Sequence, residues 1–257
     1  YSWIGWNHRR PVFEDRRVRR ALAMLLDRET LRVALNEGLP LNANCVFYHE
    51  GPACDPATEQ PAFDPDGAAA LLAEAGWRDA DGDGVLDRNG VPFRFTMTIP
   101  SGNPVNEQMI LVYQQQLHRA GIEMELQKIE WSVYVKRLRE GEFDACMLMW
   151  TMSSVEADPY QLWHSSQRDG GSNYVGYASA EADVLAERIR GTFDREERLA
   201  LFRRFNQLVI DDAPILLLYH LPRRTVIHRR LRGVHVAPLL FFDLREIWID
   251  PRYGEGA

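Results

Sequence analysis

Residues 91–150, VPFRFTMTIPSGNPVNEQMILVYQQQLHRAGIEMELQKIEWSVYVKRLREGEFDACMLMW, carry the pattern that decides the fold. Val91 to Pro100 alternates as a half-buried strand does. Asn103-Pro104 then opens a helix with Met109, Ile110, Tyr113 and Leu117 on one face, and Gly121 stops it. Ile122 to Ile129 alternates again. Trp131 to Arg139 reads as a short helix closed by Gly141, and Phe143 to Trp150 is almost continuously apolar, as a strand covered on both faces should be. Parallel neighbours need a crossover, so this strand-helix-strand-helix-strand order predicts an α/β fold with parallel pairing.

Toward the amino end, WNHRRPVFEDRRVRRALAMLLDRE (6–29) reads as a short extended stretch and then a helix. Asp15 caps its first-turn amides, and Val18, Ala21, Leu22, Leu25 and Leu26 recur at helical spacing. The helix is expected to run to Gly38, with Arg16, Arg17, Arg19 and Arg20 on a solvated outer face. Leu39 to Phe63 has prolines, glycines and no sustained period, and reads as a long surface loop. Within it, NCVFYHEGPACD (44–55) places Cys45 and Cys54 where a short-loop disulfide and two reduced thiols are both open readings. A zinc site with His49 fits less well, because a structural site wants four ligands. Cys146, inside the apolar strand, reads as a buried small hydrophobe. FDPDGAAALLAEAG (63–76) is a capped helix, with Asp64 as N-cap, Pro65 at the first helical position and Gly76 as its stop.

Toward the carboxyl end, Ala180 to Arg190 and Asp194 to Ile210 read as helices. The second has a capping box, Asp194 with Glu197, and a core stripe of Leu199, Phe202, Phe205 and Val209. Pro214 to Tyr219 and Arg223 to His228 read as strands. Internal repeats and low-complexity tracts are absent, and no linker divides the chain.

The 257 residues are 46% hydrophobic and 26% charged, which is an ordinary globular composition. A formal charge of -7 argues against a phosphate-backbone binder, so no nucleic-acid partner is expected. No stretch approaches the ~18 to 20 apolar residues needed to span a bilayer. The sequence starts on Tyr1 without a leader pattern, as a processed or truncated piece would.

DADGDGVLD (79–87) is the sharpest local motif. Asp79, Asp81, Asp83 and Asp87, with Gly84 for the turn, match the first nine positions of an EF-hand loop and make a structural calcium site one reading. Position twelve is Gly90 where a bidentate glutamate belongs, so a tight Asp/Gly turn is the other reading. Phosphate-loop, nucleophile-elbow, dinucleotide and H-E-x-x-H signatures are all missing, and the seven histidines are scattered. His164 with Asp158 is the one acid-base pairing the sequence suggests. WTMSSVEADPYQLWH (150–164) leaves the carboxyl end of the apolar strand, where open α/β sheets bind ligands. Its Trp150, Thr151, Ser153 and Ser154 offer a stacking face and neutral hydrogen-bond groups.

Several ordered stretches resemble the second large lobe of family 5 extracytoplasmic solute-binding proteins, the peptide-, dipeptide- and nickel-type receptors of ABC importers. The 6–29 run is similar to the entry of that lobe. WSVYVKRLREGEFDA (131–145) is similar to its W-x-x-Y/F-x-x-x-L-x-x-G-x-F-D stretch, and SNYVGYASAEAD (172–183) to its N-Y-x-G-Y-x-N-x-x-x-D stretch. DREERLALFRRFNQLVIDDAPILLLY (194–219) is similar to its long helix and following strand. The resemblance implies a periplasmic-binding-protein type II-like lobe with a mixed, mostly parallel sheet, the whole of 1–257 being the C-terminal lobe of a two-lobed protein. Residues 1–10 and 242–257 would lie near the inter-lobe hinge.

It also implies a monomeric, periplasmic or lipoprotein-anchored receptor whose partners are a small peptide- or oligosaccharide-like solute and ABC permease subunits. No cofactor beyond a possible structural calcium, and no catalysis, is expected. A periplasmic sensor of the same fold is the alternative, and a hydrolase a more distant one. The ligand wall would comprise Trp131, Trp150, Thr151, Ser153, Ser154, Asn173 and Tyr174. One departure bears on the solute. Peptide-binding members carry an aspartate three residues after the tryptophan matching Trp150, which pairs with the peptide's ammonium. Here that position is Ser153, which leaves Glu156 or Asp158 as substitutes.

Overall fold

The computed structural model describes residues 1–152, 154–222, 225–235 and 245–253. A five-stranded sheet is its centre, ordered Glu123–Ile129, Arg94–Pro100, Ala145–Met149, Ser2–Trp6, Ile215–Leu217. Arg94–Pro100 pairs parallel with both of its neighbours, whereas Ser2–Trp6 pairs antiparallel with both of its own. Four of the five strands therefore run the same way, as the 91–150 pattern predicts.

Ser2–Trp6 was not legible as a strand. All five residues are buried, so SWIGW shows no alternation, and Ile4 sits opposite both Met147 and Leu216 in the sheet. The extended start expected at Trp6 is the end of this strand. Pro11–Phe13 is a single 3₁₀ turn.

From Arg94–Pro100 the chain moves one position outward to Glu123–Ile129, then two positions back to Ala145–Met149. Right-handed crossovers in opposite directions put their helices on opposite faces. These helices are α4 (Pro104–Arg119) and α5 (Trp131–Glu140). The core follows this division. Met109, Ile110, Tyr113 and Leu117 of α4 pack into one cluster with α1 (Arg16–Met24), α2 (Arg28–Asn36) and α3 (Pro65–Glu74). Tyr134 and Leu138 of α5 join the other, with α7 (Ala180–Gly191) and α8 (Arg195–Asp212).

The single helix expected from Asp15 to Gly38 is two. Asp15 caps α1 by accepting from Arg17 N at 2.9 Å, and Asp27 caps α2 by accepting from Thr30 N at 3.0 Å. A capping aspartate inside an apolar-periodic run restarts the helix with a new axis. Arg19 also departs from its expected outer face. It is 4% exposed, and its guanidinium donates to Phe13 O, Glu14 O, Asp212 O and Ala213 O, tying α1 to the end of α8.

Cys45 and Cys54 are bridged, with Cα atoms 5.8 Å apart. Asn206 of α8 holds the bridged loop by accepting from Val46 N and donating to Asn44 O. Of the strand expected from Arg223 to His228, positions 223 and 224 lie outside the described residues and 225–228 has no regular structure.

Candidate functional site

Strands Arg94–Pro100 and Glu123–Ile129 both deliver the chain to a helix at their carboxyl ends. Asn103 caps α4 by accepting from Asn106 N at 3.2 Å, and Glu130 caps α5 by accepting from Ser132 N at 2.7 Å. Between these two helix starts and the end of Ala145–Met149 lies a cleft of ≈ 400 Å³. Trp131, the first residue of α5, and Met149, the last of its strand, line it while remaining 55% and 49% exposed. Asn36, Asn103, Asn106 and Leu221 complete its rim. Exposed aromatic and thioether surface among neutral amides can bury an extended solute and hydrogen-bond its polar groups.

A larger hollow of ≈ 730 Å³ lies at the opposite, amino end of the parallel strands. Three of its charged groups, Arg94, Glu123 and Asp144, already have partners. Arg94 pairs with Glu123, while Asp144 accepts from Thr96 N and pairs with Arg10 at 2.9 Å. The smaller cleft is the better candidate, because it sits where the crossovers open and its exposed apolar groups face solvent.

The expected wall residues divide into several groups. Trp131 lines the cleft. Trp150 and Tyr174 come together beside it, not in its lining: the Trp150 ring stacks 5.6 Å from Tyr174 on one side and 6.1 Å from Trp3 on the other. Trp150 and Tyr1 exchange backbone hydrogen bonds of 2.9 Å, so Trp150 extends the antiparallel ladder by one residue. Thr151 and Ser154 are exposed on the loop, and Ser153 lies outside the described residues.

Asn173 requires a correction. It is 1% exposed and its amide is used internally: Oδ1 accepts from Tyr177 N, and Nδ2 donates to Trp163 O, His164 O and Tyr177 O. A fully satisfied buried amide braces its segment and has nothing left for a ligand.

The carboxylates offered as substitutes in the loop are also committed elsewhere. Glu156 Oε2 lies 2.8 Å from Arg198 of α8, and Asp158 Oδ2 lies 2.6 Å from Arg190 of α7. Asp158 further accepts from Tyr160 N, and Arg190 stacks 3.9 Å over the Tyr160 ring. His164 does not meet Asp158. Its Nδ1 lies 2.8 Å from Ser166 Oγ and its Nε2 lies 3.5 Å from Glu187, away from the cleft.

In the acidic loop, Asp79, Asp81 and Asp83 bring ligand atoms within 4.8 Å of one another. Asp87 is not with them and accepts from Ala80 N at 3.1 Å. Asp79 accepts from Gly82 N and Gly84 N, and Asp83 from Val85 N, which is the bonding of a self-capped turn. No helix among the described residues is long and apolar enough to cross a membrane.

Sequence reasoning missed Met149, Asn103, Asn106, Asn36 and Leu221. A signal for some of them was present. Asn103 and Trp131 begin the helices that follow parallel strands, and the rule that sheets bind at carboxyl ends points to those turns as much as to the 150–164 loop.

Residues 1–172 match the family model described as bacterial extracellular solute-binding proteins, family 5. The oligopeptide-binding protein AppA of Bacillus subtilis is 33% identical over 257 positions, covering 97% of this chain and 47% of that protein. The dipeptide-binding protein of Escherichia coli is 23% identical, covering 93% of this chain and 43% of its own length. Among solved structures, AppA in complex with a nonapeptide superposes with a TM-score of 0.86 at 32% identity, over 97% of this chain and 50% of that one. An oligopeptide-binding protein of Thermus thermophilus complexed with a pentapeptide gives 0.80 at 26% identity, over 91% and 43%. The chain thus spans about half the length of the relatives it matches. With the crossovers, the cleft at the carboxyl ends and these matches together, the chain belongs to the family 5 bacterial extracellular solute-binding proteins.

Proposed function

We propose that this chain is one wall of the solute cleft in a two-lobed receptor that delivers an oligopeptide-like solute to the permease of an ABC importer. The supporting observation is the ≈ 400 Å³ cleft at the carboxyl ends of the parallel strands, with Trp131 and Met149 exposed on it, in a chain similar over 97% of its length to an oligopeptide-binding protein. A second lobe closing over these side chains would remove both from water and enclose the solute. Residues 1–10 and 245–253 would lie near the crossing between lobes; the rest of the expected 242–257 stretch lies outside the described residues.

The bridged Cys45 and Cys54 suit an oxidising, extracytoplasmic compartment, with the full-length receptor a monomer held as a periplasmic protein or lipoprotein. Binding and release, without covalent chemistry, is its whole task. No metal is required: the acidic loop satisfies its own carboxylates, although calcium at Asp79, Asp81 and Asp83 would be structural if bound.

Tryptophan fluorescence of the full-length protein tests this reading, because closure changes the surroundings of exposed Trp131. A saturable change with nonapeptides or pentapeptides, and none with oligosaccharides or nickel chelates, is expected. Saturation by an oligosaccharide alone would replace the peptide assignment, and hydrolysis of any bound peptide would overturn the receptor role.

A further inference from the structure

Resting on the proposed solute-binding role of the cleft, we infer that the loop closed by the Cys45–Cys54 bridge positions the cleft rim, with His49 as the positioning residue that acts through His220. The rim strand Tyr219–His220 pairs antiparallel with Leu41–Asn42, Leu41 standing opposite His220. Tyr219 and Leu221 line the cleft. Successive side chains of a strand point to opposite faces, so His220, between these two, points away from it. There its ring is stacked on His49, with centroids 4.6 Å apart and planes at 26°, and stands edge-on to Tyr1 at 6.4 Å. His49 is half-buried and is not part of the lining, so it reaches the solute only through the strand it holds.

The same loop touches the segment that leaves the cleft strand. A Cβ on Gly51 would stand 3.0 Å from Val155 Cγ1 and 3.0 Å from Tyr48 O, so glycine is what lets the two segments come this close. Cys54, Trp150 and Met152 pack against one core cluster. Both sides of the rim, Tyr219 to Leu221 and the stretch from Trp150 to Val155, therefore lean on residues 48–54.

The bridge is what gives that loop a fixed tip. Between the cysteines the chain turns back, Gly51 N donating to Tyr48 O at 2.9 Å and Cys54 N to Gly51 O at 3.1 Å. Asn206 of α8 grips the chain on either side of Cys45, accepting from Val46 N and donating to Asn44 O. The bridge carries this anchorage to the Cys54 side, and a closed loop has far fewer ways to move its tip than an open one. With the tip fixed, the His49 ring is held where His220 meets it.

The experiment compares the full-length protein with its H49A, H49F and C45S/C54S variants. Each is titrated with a nonapeptide selected from a random pool by the unaltered protein, and its Tm is recorded. H49A should weaken binding about three- to tenfold, the worth of one aromatic pair, with little change in Tm. H49F keeps a ring to stack and should restore the affinity. C45S/C54S should lose at least as much affinity as H49A while still folded by circular dichroism; if it does not fold, the two His49 variants decide. Unchanged affinity in H49A, or an equal loss in H49A and H49F, would overturn the inference and leave the receptor reading intact. Failure of the unaltered, folded protein to retain any nonapeptide would instead overturn the reading on which it rests.

Discussion

Arg198 Nη2 lies 2.8 Å from Glu156 Oε2, and this pair fastens the loop leaving the cleft strand to α8. With Arg190 on Asp158 it brackets the turn between α7 and α8, so the loop is held from two helices at once. Both partners of the Arg198 pair are partly exposed, which screens their attraction and limits its worth. A double-mutant cycle of R198Q and E156Q on unfolding free energy should give a coupling of about 0.5 to 1 kcal/mol. A coupling indistinguishable from zero would mean that the loop is held by its backbone alone.

Trp131 and Trp150 should separate binding from stability. Trp131 is 55% exposed on the cleft, so W131A should weaken solute binding by about tenfold or more with little change in Tm. Trp150 is stacked between Trp3 and Tyr174, and W150A should cost about 2 to 4 kcal/mol through lost packing. Titration and thermal unfolding of both variants in the full-length protein check this. Equal loss of affinity at unchanged Tm in both would place Trp150 in the wall after all.

Asn173→Ala removes the side-chain partner of Tyr177 N, Tyr177 O, Trp163 O and His164 O, all buried, of which His164 O keeps a bond from Gln167 N. Unsatisfied buried groups cost about 1 to 3 kcal/mol each before relaxation, so N173A should destabilise by at least about 2 kcal/mol. The remaining folded protein should bind solute with unchanged affinity. A tenfold loss of affinity at unchanged stability would return Asn173 to the ligand wall.

The parallel part of the fold was legible because each of its elements carried its own signal. Asn103-Pro104 marked a helix start, Gly121 and Gly141 marked stops, and the strands between them alternated. Ser2–Trp6 gave no such signal, since all five of its residues are buried and SWIGW shows no alternation. The break at Asp27 was hidden because the apolar spacing of α1 continues into α2 and only a cap separates them. Trp131, expected on the wall from a family motif, lines the cleft. Asn173, in a motif of the same kind, proved to be a brace: a motif preserves a residue type whether it faces a ligand or the core, and only the partners of its amide tell the two apart.

His8 links the sheet to pH. Its ring stands edge-on to Tyr177 at 5.8 Å. Burial first, and the Arg19 charge second, lower its pKa from 6.5 to about 3. His220 is likewise lowered to about 3 by burial. In the unfolded chain both imidazoles take up protons near pH ~6.5, whereas the folded chain holds them neutral. The unfolded state thus binds more protons between the two values, and stability falls as pH drops below about 6.5. Two such groups give a slope of up to about 2.7 kcal/mol per pH unit, well below that threshold and before acidic groups contribute. H8Q, which keeps a neutral polar side chain, should halve the slope measured by denaturant unfolding between about pH 6 and pH 5. An unchanged slope in H8Q would show that His8 already accepts its proton in the folded state and that another group carries the acid sensitivity.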